Sequence, residues 1–331
     1  MKIIQRHIAI FLSFIMLAGL IPGGLLAPIS ALAAPPVDIG NTVISVDGGG
    51  ALSTHHITQN INAITANASG IRTITSDGVY LVNDTATGII AVAANVNAVI
   101  VLDGASRESA TGAGANATSP LQIAAGANVI LVLMDGTTNT FTCKGTNSNP
   151  ETRQAGINVL WDSTSSATLT IREGYLSGES RGTQGELNVT GGDFSAGIGG
   201  GPNQNCGIVK IEGGKITATS GGYASATTGH GNGAGIGGGG GNSGGGGSCE
   251  LIEIYGTANV TATSKNDGAG IGGAGGGPNP YLDRNVTGGG GDGGTIRIHG
   301  DAVVVALSEA DGAGIGGGGR SSHTNGLTGG S

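Results

Sequence analysis

The chain has 331 residues, 69 of them glycine, with 3% aromatic and 11% charged residues and a formal net charge of −8. Glycine does not fall at every third position, which excludes a collagen triple helix, and β-branched runs recur between the glycines, which argues against full disorder. The acidic balance disfavours nucleic acid and anionic surfaces as partners and is compatible with divalent cations.

In chain order, the first feature is an export signal. Lys2, Arg6 and His7 form a basic start, Ile8 to Leu20 is an apolar run, and Ala31-Leu32-Ala33 supplies a small-x-small cleavage pattern. Residues 1–33 are therefore read as a cleaved signal. The run is short against the roughly 20 residues that a bilayer span needs, and Pro22-Gly23-Gly24 interrupts it, so no membrane span is expected after cleavage. Losing Lys2 and Arg6 takes Lys+Arg from 14 to 12 against 22 Asp+Glu, a net charge of −10. The predicted location is secreted or extracellular, with cell-wall association open.

Residues 34–87 are less regular. Val43-Ile44-Ser45-Val46 and Val79-Tyr80-Leu81-Val82 read as strands, and the region is expected to form an N-terminal cap and a first, irregular coil. Residues 88–331 carry repeats. Ala-Gly-Ile followed by glycines occurs from Ala196, Ala234, Ala269 and Ala313, with divergent copies at Ala155 and Pro120. The steps are 35, 41, 38, 35 and 44 residues, about 39 on average. A second strand lies between these marks at Ile208–Ile211, Leu251–Ile254 and Thr295–Ile298, and a third at Ile216–Ser220, Val260–Ser264 and Val304–Ser308. Three short strands per unit at a near-constant period predict an all-β fold, a parallel β-helix with glycine-rich loops. Val209, Ile211, Ile216, Ala218 and their counterparts one and two coils on should face inward. No second or third strand follows Ala313, so the sequence reads as truncated at its C-terminus.

Equivalent residues in adjacent coils should stack about 4.8 Å apart. Aligning Ile211, Ile254 and Ile298 places Lys210, Glu253 and Arg297 in one outward column of alternating sign. The same alignment stacks Cys206 on Cys249, close enough for a disulfide, with two free thiols as the alternative. Cys143 has no counterpart. The residue before the turn glycine is Asp103, Asp135, Glu173, Glu212, Tyr255 and His299 in successive coils, so four carboxylates are expected to stack and either splay into water or share calcium. A shorter acidic column is Asp267 and Asp311, with Asn232 before them; turn-forming Asp-Gly and Asn-Gly pairs are the plainer explanation of it.

The segments Lys210-Ile211-Glu212-Gly213-Gly214-Lys215-Ile216-Thr217-Ala218 and Ala234-Gly235-Ile236-Gly237-Gly238 resemble the glycine-rich repeats of large surface proteins of Gram-positive bacteria, over about residues 88–320. The resemblance implies an extracellular parallel β-helix of adhesin-like or carbohydrate-binding character, in some cases with calcium, and it carries no catalytic residues.

Catalysis is not expected. Pectin-active hydrolases on β-helices need paired carboxylates, and no Asp-Asp dipeptide occurs. A lyase base would have to be Arg107 or Arg153, and His230 reads as a loop residue. For binding, Tyr255 and His299 are the expected ligand contacts, outward at a strand end; Tyr175, Tyr223 and Tyr281 are further aromatics, and Trp161 is expected in the core. Thr217/Thr261 and Thr219/Thr263 form a small threonine array that Val305 and Leu307 interrupt. The function expected is a non-enzymatic secreted or cell-surface protein whose partner is an acidic polysaccharide or a host or envelope surface, with calcium as a possible cofactor. The alternatives are a structural or adhesive stalk and a pectin-type lyase or hydrolase.

Overall fold

The computed structural model describes residues 38–39, 42–43, 51–52, 71–109, 119–144, 154–176, 182–222, 231–241, 245–277 and 288–319. The expected signal, Arg153, His230, Tyr223 and Tyr281 lie outside them, as does the Tyr175 side chain. Every regular element among the described residues is a strand.

Three parallel sheets are stacked coil on coil. The first contains Ile71–Ile74, Ile89–Val92, Leu121–Ile123, Ile157–Val159, Ile198–Gly199, Ile236–Gly237, Ile271–Gly272 and Ile315–Gly316. The second contains Gly78–Val82, Asn97–Leu102, Asn128–Met134, Thr168–Leu176, Cys206–Ile211, Cys249–Ile254 and Thr295–Ile298. The third runs through Thr85–Thr87, Ser106–Glu108, Thr138–Thr142, Glu186–Thr190, Lys215–Thr219, Asn259–Ser264 and Val303–Ser308. The chain visits the sheets in turn, which is the parallel β-helix with three strands per coil. Residues 71–87 already make one coil in register with the next, as the pairs Ile71↔Ile89, Gly78↔Ala98 and Thr85↔Ser106 show.

The period-2 pattern of each strand builds the core. Tyr80, Ile100, Leu131, Ile171, Ile211 and Ile254 form one inward column of the second sheet, all buried. Ile90, Leu121, Ile157, Ile198, Ile236 and Ile271 face them from the first sheet. Leu187, Ile216 and Val260, with Phe141, Val189, Ala218 and Ala262, close the third side. A single coil could not exclude water from these side chains; stacking makes the apolar surface continuous. In the last described coil Ile298 is 40% exposed and Ile296, Val304 and Ala306 are only partly buried, since no coil above them lies among the described residues.

The Ala-Gly-Ile-Gly strand needs its glycines for two separate reasons. A Cβ on Gly197 would lie 2.8 Å from the Thr219 backbone nitrogen and 2.7 Å from the Gly235 carbonyl oxygen, so the third strand leaves no room for it. The glycine two residues on takes φ of +138° at Gly199, +149° at Gly237, +129° at Gly272 and +132° at Gly316, where a side chain would be strained.

The outer face of the second sheet changes character along the stack. In the early coils Val79, Val99, Val101, Val132 and Met134 form a separate buried cluster, with Leu81 and Ile130 against it. Ala51–Leu52 adds to the same region, pairing with Tyr175 and Leu176. From Arg172 onward that face is polar, and the candidate site lies there.

Candidate functional site

Tyr255 and His299 follow the second-sheet strands Cys249–Ile254 and Thr295–Ile298, on the side facing away from the core. The ladder continues through them, since the Tyr255 N–H donates to the Ile211 carbonyl at 2.8 Å and the His299 N–H to the Ile254 carbonyl at 3.0 Å. Their rings therefore stack, with centroids 5.4 Å apart and planes at 15°. This separation is the coil-to-coil repeat, so the sheet holds the two rings in a near-parallel tier without any special loop.

Charged groups frame the rings. Below Tyr255 in the same column are Glu212 and Arg172, joined by an ion pair at 3.0 Å. In the column two residues earlier, Lys210, Glu253 and Arg297 are Cα partners in the order read from the sequence. Lys210 pairs with Glu253 at 3.6 Å, and the other Glu253 oxygen lies 3.4 Å from His299 Nε2. Arg297 is exposed. Burial, then the Glu212 and Glu253 carboxylates, raise the Tyr255 phenol above its ordinary pKa, so the hydroxyl is protonated and able to donate at neutral pH. His299 is 56% exposed and Tyr255 partly buried, which leaves a ledge of one open ring and one supported ring.

The stacked carboxylate column does not form. Leu102 pairs with Leu133 and Leu133 with Glu173, so Asp103 falls opposite Met134 and not opposite Asp135. Glu173 occupies the Leu102–Leu133 column and accepts the Gly214 N–H at 3.2 Å, whereas Glu212 falls opposite Arg172. Asp135 accepts the Gly182 N–H at 3.0 Å. The physical reason is strand length. Asn128–Met134 and Thr168–Leu176 continue past the point at which Cys206–Ile211 stops, so the acid preceding each turn glycine sits at a different register position. The shared-ion argument for Asp103, Asp135, Glu173 and Glu212 fails with the column. Among the described residues no three His, Cys, Asp or Glu side chains gather closely enough to hold a metal ion by themselves.

Cys206 and Cys249 are Cα partners 4.4 Å apart and are joined in a disulfide. Cys143 is buried, and its Sγ accepts from the Ser109 hydroxyl at 3.6 Å. Trp161 is 40% exposed and not in the core: after Val159 the chain leaves the first sheet in a small hairpin, where Trp161 bridges Ser166. Asp162 fixes that hairpin by accepting from Thr164 N, Thr164 Oγ1 and Ser165 N, each at 2.7 Å, and the Thr164 hydroxyl leads in holding its carboxyl below the usual range.

The threonine rows are longer than the sequence suggested. Thr142, Thr190, Thr219 and Thr263 are consecutive Cα partners, and beside them run Thr140, Asn188, Thr217 and Thr261, before Val305 and Leu307 end both rows. A groove beyond this face is lined by Cys143, Lys144, Thr190, Ser220 and Lys265 with backbone glycines. Its lysines are already engaged, Lys144 with Glu108 and Lys265 with Glu309.

Sequence reasoning missed one polar cluster. Arg107 faces inward in the third sheet between Ala86 and Phe141, and its guanidinium pairs with Asp84. Arg72 meets the same carboxylate at 2.8 and 3.2 Å. The carboxylate neutralises a buried arginine there, and that accounts for Arg107 without a role as catalytic base.

Comparison with protein-family models, with curated proteins and with solved structures finds no match. Fold and site therefore define only a class: a three-sheet parallel β-helix with a stacked aromatic pair on an outer face.

Proposed function

We propose that the chain is a secreted or cell-surface, non-enzymatic β-helix protein that binds polysaccharide along the outer face of its second sheet, with Tyr255 and His299 as the sugar platform. The observation that carries this is the tier of two near-parallel rings at the coil repeat. A pyranose would lay its C–H face on the plane of His299 turned away from Tyr255, the facing planes of the pair being covered by each other, with its hydroxyls toward the flanking ionic groups. Exposed Arg297 would favour a uronate-containing polymer, through a charge-assisted hydrogen bond to its carboxylate, while Arg172 and Lys210 are held by Glu212 and Glu253. An extended polymer suits a face that runs along the stack. Export follows from the signal-like start at residues 1–33, and the likeness to glycine-rich repeats of Gram-positive surface proteins points to the same setting.

The test is a panel of neutral and acidic polysaccharides presented to the mature protein in affinity electrophoresis. Retardation by uronate polymers and not by neutral glucans is expected. Retardation by none of them would leave the structural or adhesive stalk as the better reading.

A further inference from the structure

The corner that leads from the third sheet back to the first carries a column of residues outside the sugar site. Counting back from the partnered Ile236, Ile271 and Ile315, the fourth residue is Asn232, Asp267 and Asp311 in three successive coils. The stacking is tight. A Cβ on Gly268 would lie 2.7 Å from the Asn232 carbonyl oxygen, and one on Gly312 would lie 2.7 Å from that of Asp267. Serines hold the corner: Ser264 Oγ donates to the Gly233 carbonyl at 2.9 Å and Ser308 Oγ to the Asn266 carbonyl at 2.9 Å.

The column is only partly satisfied: the Asp267 carboxylate accepts the Asp311 backbone N–H, whereas Asn232 below it has no partner. Asn232 is 0% exposed, and neither its Oδ1 nor its Nδ2 finds a hydrogen-bond partner. One coil above, Asp267 is 7% exposed, and Asp311 follows it in the last described coil. Neither carboxylate meets a basic side chain among the described residues; the nearby Lys265 pairs with Glu309. A buried amide without partners is uncommon because it forfeits its hydration for nothing. A water molecule could satisfy that amide, but it would leave two adjacent carboxylates uncompensated. A divalent cation would take the amide oxygen and both carboxylates as ligands.

We propose that Asn232, Asp267 and Asp311 form a calcium site, with the amide oxygen and the two carboxylates supplying ligands from three consecutive coils. Calcium suits the place better than magnesium. It accepts irregular sets of six to eight oxygens, including amide and backbone carbonyl groups, whereas magnesium demands near-octahedral geometry. The site lies at a different corner from Tyr255 and His299, so its failure would leave the sugar-binding proposal untouched.

The experiment is a thermal melt of the mature chain with calcium and with chelator, repeated for Asp311→Asn and Asp267→Asn. Asp311 is exposed, so its variant keeps the fold even if Asp267→Asn does not. Calcium at a hundredfold excess over its dissociation constant should raise the parent Tm by roughly 5 °C or more, and Asp311→Asn should remove most of that shift. An unshifted parent overturns the proposal, and so does a shift that survives in Asp311→Asn, which would place the ion elsewhere.

Discussion

The pair formed by Asp84 and Arg107 offers a sharp test of the early coils. Asp84→Asn removes the negative charge and leaves the shape. The Arg107 side chain is 1% exposed, and its Nε has no partner, so among the described residues Asp84 is the carboxylate that neutralises it. Breaking a fully buried ion pair by removing one member costs about 3–5 kcal/mol. Here the Asp84 side chain is 42% exposed and Arg72 competes for it at the surface, so water replaces part of the loss and about 2–3 kcal/mol is expected. The pH dependence follows from the carboxyl. Its pKa is lowered from the ordinary 3.8, first by the Arg72 hydrogen bond and also by the charges of Arg107 and Arg72, against the opposing effect of burial. A depressed acid stabilises the fold fully above its unfolded value and loses that contribution as pH falls through the folded value. Urea denaturation should therefore show the full gap between parent and Asp84→Asn at pH 7 and a narrowing gap below about pH 3.8. Adding Arg107→Met to Asp84→Asn should recover most of the stability, because an apolar side chain can fill the position between Ala86 and Phe141. A single variant within about 0.5 kcal/mol of the parent at pH 7, or a gap that does not respond to acid, would refute the reasoning.

Three further outcomes are expected. Reducing the Cys206–Cys249 bond, whose members are 43 residues apart in sequence, should cost up to about 4 kcal/mol by loop-closure entropy, read as a lower Tm under reductant that Cys206→Ala with Cys249→Ala reproduces. Gly235→Ala should destabilise by about 2 kcal/mol or more in chemical denaturation, because its Cβ would lie 2.5 Å from the Thr263 backbone nitrogen and 2.6 Å from the Gly270 carbonyl oxygen, neither of which can rotate away. In chelator, Asp267→Asn should raise stability at pH 7. The raised folded pKa means that ionising Asp267 costs the native state, a penalty that builds as pH rises from the ordinary 3.8 to the raised value and is full above it, so the difference from parent should shrink in acid.

Much of the fold was legible because the repeat carries its own ruler. Ala-Gly-Ile marks each coil, and the isoleucines of the second strand follow at positions that line up. Lys210, Glu253 and Arg297 therefore fell into one column, and Cys206 met Cys249, as the spacing required. The same ruler failed upstream, where the turn glycine no longer marks a fixed point. Thr168–Leu176 runs well beyond its neighbour Cys206–Ile211, and Glu173 slid from the supposed acid column onto that of Leu133. Strand length is set by packing on both faces, and the covered outer face around Val132 and Met134 is not visible in a repeat alignment. Trp161 looked like core because it follows Val159-Leu160, yet a hairpin of five more residues carries it outward. Arg107 gave no signal because Ser106–Glu108 has no apolar alternation to show which side faces in. The stacking of Tyr255 and His299 followed from a column argument that held for Glu212, Tyr255 and His299 and failed for Asp103, Asp135 and Glu173.

The most direct test of the account is a calorimetric titration of the uronate polymer selected by the polysaccharide panel into the parent and into Tyr255→Ala with His299→Ala. The double variant should keep the parent's circular dichroism and Tm to within a few degrees, since both rings lie outside the core. Its affinity should fall about tenfold or more, the loss expected for an aromatic platform. Equal affinity in the two proteins would contradict the assignment of the second-sheet face as the binding surface.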